Sequence, residues 1–280
     1  MTGTRERHEA TAQESAALFA HPGVDVATLA LCALMWGGLV LNLLWAVGQF
    51  GAPPPAWVSV ALGVCCLNLS FTVWHEGVHD NVFRARLGND VVGVLGAFPA
   101  MLPYFMIRRN HHLHHEHTND PELDPDVWFL QGSIWTLPLR YPAGVARARR
   151  RVAATNPPRW EGVLDRLMLL LVPALLALGW YGGWIWPLVW CWVVPKLVAM
   201  WIHAWYVNWL PHHGLPAERF RDTRIFPLGW LSPLMLCHNY HGLHHAWQSV
   251  AWHRYPAAFR AKRELLEKRG TPIRTELSAR

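Results

Sequence analysis

Charge is scarce in this chain. Only 16% of its 280 residues are Asp, Glu, Lys or Arg, against 52% hydrophobic, whereas soluble domains average about 25% charged. From Val26 to Trp74 there is no charged side chain at all, which excludes an ordinary water-facing helix on either side of its Gly/Pro turn. Paired cysteines are missing too. Cys32, Cys65, Cys66, Cys191 and Cys237 lie in or beside apolar runs without zinc-type spacing. They read as reduced and structural, in keeping with a reducing cytoplasmic face. The first 25 or so residues are polar, and no secretory signal peptide is expected there. They read as a mobile or surface-lying cytoplasmic arm (1–25), followed by a single membrane domain (26–280).

What is present is apolar sequence in lengths suited to a bilayer. Val26 to Gly48 is one span, about 23 residues and about 34 Å as a helix. Gln49 to Pro55 is a Gly/Pro turn, and Ala56 to Trp74 is the second span. Val91 to Ile107 is apolar but rich in Gly and Pro, so it reads as an interfacial or re-entrant segment; the alternative, a short third crossing, would invert everything downstream. Leu167–Trp180 and Trp184–Val207 form a second hairpin, turned at Tyr181-Gly182-Gly183, and Pro173, Pro187 and Pro195 predict kinks in it. A helical tail is expected near Ala257–Arg269. The fold class is therefore all-α and integral to a membrane: four transmembrane helices in two hairpins (spans about 26–48, 56–74, 167–180 and 184–207), under a cytoplasmic helical cap. Neither hairpin turn holds Lys or Arg, and all other Lys and Arg except Lys196 lie on the opposite side. The positive-inside rule then puts both termini in the cytoplasm, with the protein in the cell inner membrane. The formal charge of +6 is a topology signal. The Arg147, Arg149, Arg150, Arg151 cluster reads as an anionic-lipid contact more than as a specific docking site, and no nucleic-acid partner is expected.

The 17 histidines are concentrated on that cytoplasmic side. His75 and His79 stand at i, i+4. His111, His114 and His115 stand at i, i+3, i+4, and His241, His244 and His245 repeat that pattern. Asn208 and His212 are again i, i+4, just past the last span. On a helix each set projects from one face. Neutral imidazole suits Zn, Cu, Fe and Ni, and nine candidate ligands are too many for one ion, so two ions are expected. His112, His117, His213, His238 and His253 are candidates for the surroundings of such a site. His8, His21 and His203 have no place in it. Glu76, Asp80, Asp120, Glu122, Asp124 and Asp126 could orient ligand imidazoles by accepting their outer N–H. Turn and helix-cap chemistry explains the Asn119–Asp126 run equally well. His75-Glu76-Gly77-Val78-His79 also matches HExxH, the zinc-protease pattern with Glu76 as base, but that leaves the two HxxHH clusters unexplained.

At these residues the chain resembles the membrane fatty acid desaturase and hydroxylase superfamily, and within it the desaturase-type beta-carotene hydroxylases. The matching stretches are His111–Asp126 (HHLHHEHTNDPELDPD), Trp209–His213 (WLPHH), Thr223–Pro227 (TRIFP) and Asn239–Pro256 (NYHGLHHAWQSVAWHRYP). Cys237-His238 departs from the Gln usual there, and such wording also occurs in acyl desaturases. The resemblance implies three histidine boxes, two non-haem irons and O2 as co-substrate. It implies His75, His79, His111, His114, His115, His212, His241, His244 and His245 as ligands, with Asn208 linked through water. Glu76, Asp80, Asp120, Asp124 and His238 are the expected supporting residues. The implied reaction is oxidation of an unactivated C–H bond in a lipid, foremost carotenoid ring hydroxylation. Fatty acyl desaturation or hydroxylation is the alternative; a membrane zinc protease or a non-enzymatic metal-binding or transport protein lies further off. An external donor such as ferredoxin with its reductase is implied, because no electron-transfer domain is seen. Lys196, the one basic residue within a span, is expected to have a substrate-tunnel or packing role.

Overall fold

The computed structural model describes residues 16–21 and 23–279. Among them there is no strand, only two isolated bridges, Val24–Phe83 and Ile225–Ile273. Four helices are long and apolar enough to cross a membrane: α1 Val26–Ala46, α2 Ala56–Val78, α6 Arg159–Tyr181 and α7 Ile185–His212. Between the pairs lie α3 Arg86–Ala97, α4 Tyr104–His117 and α5 Leu137–Ala154, and the cap adds α8 His241–Ala246 and α9 Tyr255–Lys268.

Helix α1 begins where Asp25 accepts a hydrogen bond from the Ala27 backbone and another from Thr28 Oγ1 at 2.7 Å. It ends at the Gly48 turn. Helix α2 is the most buried of the four and packs against α1, α3 and α7. Small residues allow these approaches. A Cβ at Gly77 would meet the Asn89 carbonyl and the Gly93 backbone near 2.8 Å, so α2 and α3 touch through their backbones.

Two of these helices run beyond the spans expected from the sequence. Helix α2 runs four residues past Trp74, so His75 lies inside the helix. The third span starts at Arg159, eight residues before Leu167, because its first turns are amphipathic and pack on α4. Asp165 there accepts hydrogen bonds from the Phe105 and Met106 backbone N–H groups at 3.0 and 2.9 Å, which satisfies orphan donors of the first turn of α4. The Val91–Ile107 region is α3, a turn and the start of α4, and is not among the four long apolar helices.

Helix α7 takes two π-helical turns, Val189–Val193 and Ala204–Trp209. Each is followed within two residues by a proline, Pro195 and Pro211. Proline has no N–H for the preceding turn, and the helix widens there.

The described end of the N-terminal arm is docked on the surface, with Phe19 edge-on to Trp247 and Arg254 donating to the Ala17 and Ala20 carbonyls. Residues 1–15, including His8, lie outside the described residues. The cap has its own core of Ile225, Tyr240, Leu243, Tyr255, Phe259 and Leu266.

Candidate metal centre

Four histidine-bearing elements converge at the cap, one of them the end of α7 with His212. The end of α2 carries His75 and places His79 just past it. The last two turns of α4 carry His111, His114 and His115, and α8 carries His241, His244 and His245. Left-handed residues Leu236 and Cys237 turn the chain sharply into α8. The Thr223–Pro227 segment lies beneath it. Gly242 N–H donates to the Arg224 carbonyl at 3.0 Å, Phe226 N–H donates to Asn239 O at 2.8 Å, and a Cβ at Gly242 would meet the Thr223 carbonyl at 2.6 Å.

The imidazoles sort into two groups. His75, His79, His111, His115 and His244 form one; His114, His212 and His245 form the other. Within each group the ligand nitrogens lie within 4.8 Å of one another. His241 belongs to neither by that measure, but its ring centre is 5.1 Å from His212 and 4.8 Å from His245. Neighbouring residues part company: His114 and His115 join different groups, as do His244 and His245.

The nitrogens have the spacing an ion would impose. His75 Nε2 and His244 Nε2 are 3.1 Å apart, His244 Nε2 and His115 Nε2 2.9 Å, and His115 Nε2 and His111 Nε2 3.1 Å. Two ligands at right angles on an ion with bonds of about 2.1 Å lie about 3.0 Å apart. His79 Nε2, His241 Nδ1 and His245 Nε2 are buried without any hydrogen-bond partner, and such orphans are costly unless something occupies them. The residues therefore fit one cation in each group.

Outer nitrogens are held by side chains. In the second group His114 Nδ1 meets Asp124 Oδ1 at 3.0 Å, His245 Nδ1 meets Thr118 Oγ1 at 3.2 Å, and His212 Nδ1 lies 3.5 Å from Thr223 Oγ1. In the first group His244 Nδ1 meets the Tyr255 hydroxyl at 2.9 Å and His75 Nδ1 lies 3.4 Å from Glu76 Oε1. These partners select the tautomer that turns Nε2 inward. Sequence spacing does not reveal Thr118, Thr223 or Tyr255 as ring partners, since Thr118 serves His245 across the site and no helical period links Thr223 or Tyr255 to the boxes.

Burial, reinforced by neighbouring imidazoles, pushes His79, His111, His115, His244 and His245 well below the ordinary histidine range, so they are neutral, as metal ligands must be. Burial acts against charge on His114 as well, but the Asp124 carboxylate outweighs it and lifts that ring to about 9, so a cation in the second group would have to displace a proton from its inward nitrogen.

Other expected supporting residues have different work. The Asp80 carboxylate pairs with Arg108 at 2.9 Å and not with an imidazole. Arg108 also binds Asp90, which accepts from the Tyr104 hydroxyl. Asp120 accepts from the backbone of Glu122 and Leu123, the turn role. Asp126 accepts from Asn110 Nδ2 at 2.7 Å. His238 bonds Thr72 at 2.8 Å. His253 reaches Asp25, His213 reaches the Leu130 carbonyl, and His21 reaches the Asp80 carbonyl. Glu76 is fully buried, accepts from Asn81 and lies against His75 Nδ1, the position of a ring-orienting carboxylate.

Two openings lead to the histidines. An apolar cavity of about 200 Å³ reaches His111, His114, His241 and Asn208 from within the bundle. A polar cleft of about 720 Å³, bounded by Asp120, Arg219 and Asp222, reaches His115 and His245 from the cap side. His203, without an expected role, lines the apolar cavity and bonds Asn68 Oδ1 at 3.1 Å.

A family model for fatty acid desaturases matches residues 51–276. A zeaxanthin 4-ketolase of Chlamydomonas reinhardtii is 24% identical over 275 residues, 88% of this chain and 56% of that protein. An sn-1 oleoyl-lipid 12-desaturase of Synechocystis is 26% identical over 228 residues, 67% of this chain and 60% of that protein. An sn-2 palmitoyl-lipid 9-desaturase of Nostoc is 30% identical over 151 residues, about half of each chain. The chain thus spans between half and three-fifths of the length of these curated relatives.

Proposed function

Since the chain belongs to the fatty acid desaturase family, we propose that it is a membrane-embedded di-iron oxygenase that oxidises an unactivated C–H bond of a lipid, with carotenoid ring hydroxylation as its reaction. The observation that carries this reading is the largely apolar cavity that reaches His111, His114 and His241, so that a lipid carbon and the metal ligands would share one space. His75, His79, His111, His115 and His244 would hold one iron, and His114, His212, His241 and His245 the other, with Asn208 close by through water. Iron bound there would supply O2 activation and hydrogen abstraction.

The chain's own part is positional. Phe71, Trp74 and Val207 wall the cavity, exclude water and hold the substrate carbon close to the histidines. Asp124, Thr118 and Tyr255 keep the rings oriented. Hydroxylation balances as one C–H, O2, two electrons and two protons giving C–OH and water. The electrons come from an external donor such as ferredoxin and its reductase. The polar cleft at His115 and His245 offers that donor an approach from the cytoplasmic side, separate from the lipid.

The carotenoid assignment is supported by the box-to-box resemblance and by a relative named for zeaxanthin ketolation that aligns over 88% of the chain. A second reading, acyl-chain desaturation, is favoured by the relatives named for lipid desaturation. Expression in a carotene-accumulating host, with pigment and fatty-acid products both read by chromatography and mass, decides between them. Pigments heavier by one oxygen are expected. Unchanged pigments beside new double bonds would replace the first reading with the second, and no change in either would remove both.

A further inference from the structure

One face of α7 lines the apolar cavity along its length: Lys196, Met200, His203, Ala204, Val207 and Asn208. Twelve residues separate Lys196 from Asn208, about 18 Å along a helix. The cavity thus has a histidine end and an ammonium end. Lys196 lies eleven residues from one end of α7 and sixteen from the other, too deep for its stem to carry the charge to either interface. Its hydrogen-bond partner is the Met200 sulfur at 3.6 Å, a weak acceptor. Among the described residues no carboxylate pairs with it. Leu or Met would line an all-hydrocarbon tunnel without this cost.

We propose that Lys196 forms an oxygen-recognition subsite at the membrane-buried end of the cavity. It selects lipids that carry a hydroxyl, keto or carboxyl oxygen remote from the carbon presented to the histidines. The ammonium donates to that oxygen and so gains the acceptor the protein withholds. An already oxygenated or acylated lipid is then preferred over the bare hydrocarbon, which stays a slower substrate, so the class of reaction that supplies the better substrate is an earlier oxygenation or acyl synthesis. This inference rests on the reading of the cavity as a lipid site.

The test is binding to the iron-loaded, detergent-solubilised protein, with carotenoids read by quenching of tryptophan fluorescence and the saturated C18 probes by their displacement of bound carotenoid. Two pairs of probes differ in oxygen alone: zeaxanthin against β-carotene, and stearic acid against octadecane. The wild type should prefer the oxygenated member of at least one pair by about tenfold, the worth of one charge-assisted hydrogen bond. The pair that discriminates tells a ring oxygen from an acyl carboxylate. Lys196→Met should bring that ratio close to one while iron content and melting temperature hold. Lys196→Gln, which keeps a donor without the charge, should retain part of a preference for zeaxanthin and lose one for stearate. Equal binding of both members by the wild type, or an unchanged ratio in Lys196→Met, overturns the subsite. A wild type that shows no preference yet oxidises lipid in the host sinks the subsite and leaves the oxygenase reading standing. One with the preference but no oxidation does the reverse.

Discussion

His114 Nδ1 lies 3.0 Å from Asp124 Oδ1, ten residues further along the chain, and both side chains are buried. The loop between them is wound round that carboxylate, which also accepts the Asn119 and Asp126 backbone N–H groups at 2.8 Å each. The acidic run after the second box is thus a ligand-orienting loop at Asp124 and a turn at Asp120.

Asp124→Asn should therefore weaken the second group while sparing the first. Removal of such a partner costs about 10–100-fold in metal affinity. Iron per chain should fall from two toward one, with His114→Ala giving the same or a greater loss. Two irons retained in both variants would show that His114 is not a ligand.

Tyr255→Phe tests the corresponding contact on the first group. It strips the hydroxyl from His244 Nδ1 and leaves a buried ring nitrogen without a partner, at about 1–3 kcal/mol. A lower melting temperature and faster iron loss to a chelator are expected. The cavity-side contacts of His111 and His114 should be untouched, so affinity for the lipid probe should hold.

Arg108→Met should act on folding more than on chemistry. Arg108 joins Asp80, one residue past His79, to Asp90 on α3. Breaking a buried pair by removing one partner costs about 3–5 kcal/mol. The thermal midpoint should fall sharply, and Asp90→Asn in the same chain should restore part of it.

Metal removal should loosen the cap as a whole, because the residues that could hold the ions come from α4, α7, α8 and the end of α2. Stripping iron with a chelator should lower the melting temperature, and adding Fe²⁺ back should raise it with concentration. A midpoint indifferent to Fe²⁺ would mean that the groups hold no ion.

Topology is open to a direct check. Gly51 and Gly182 lie in the two hairpin turns that lack Lys and Arg, so reporters fused there should be external, and reporters at the C-terminus cytoplasmic. A cytoplasmic signal from either turn would overturn the orientation.

The sequence by itself determined the four apolar helices, their pairing into hairpins, and the helical spacing of the boxes. These are local signals: bilayer length, a missing charge, a period of 3.6 residues. Span limits were less legible, since the amphipathic first turns of α6 carry Glu161 and Asp165 and only packing on α4 makes them helical and buried. The tertiary structure alone decided the partition of the histidines. Adjacent helical residues are about 100° apart, so His114 and His115 must face different neighbours. Which neighbours those are depends on how α2, α7 and α8 are brought together. The same holds for Thr118, Thr223 and Tyr255 as ring partners, and for His203 and Lys196 on the cavity wall. No spacing along the chain encodes contacts that exist only after the helices have packed.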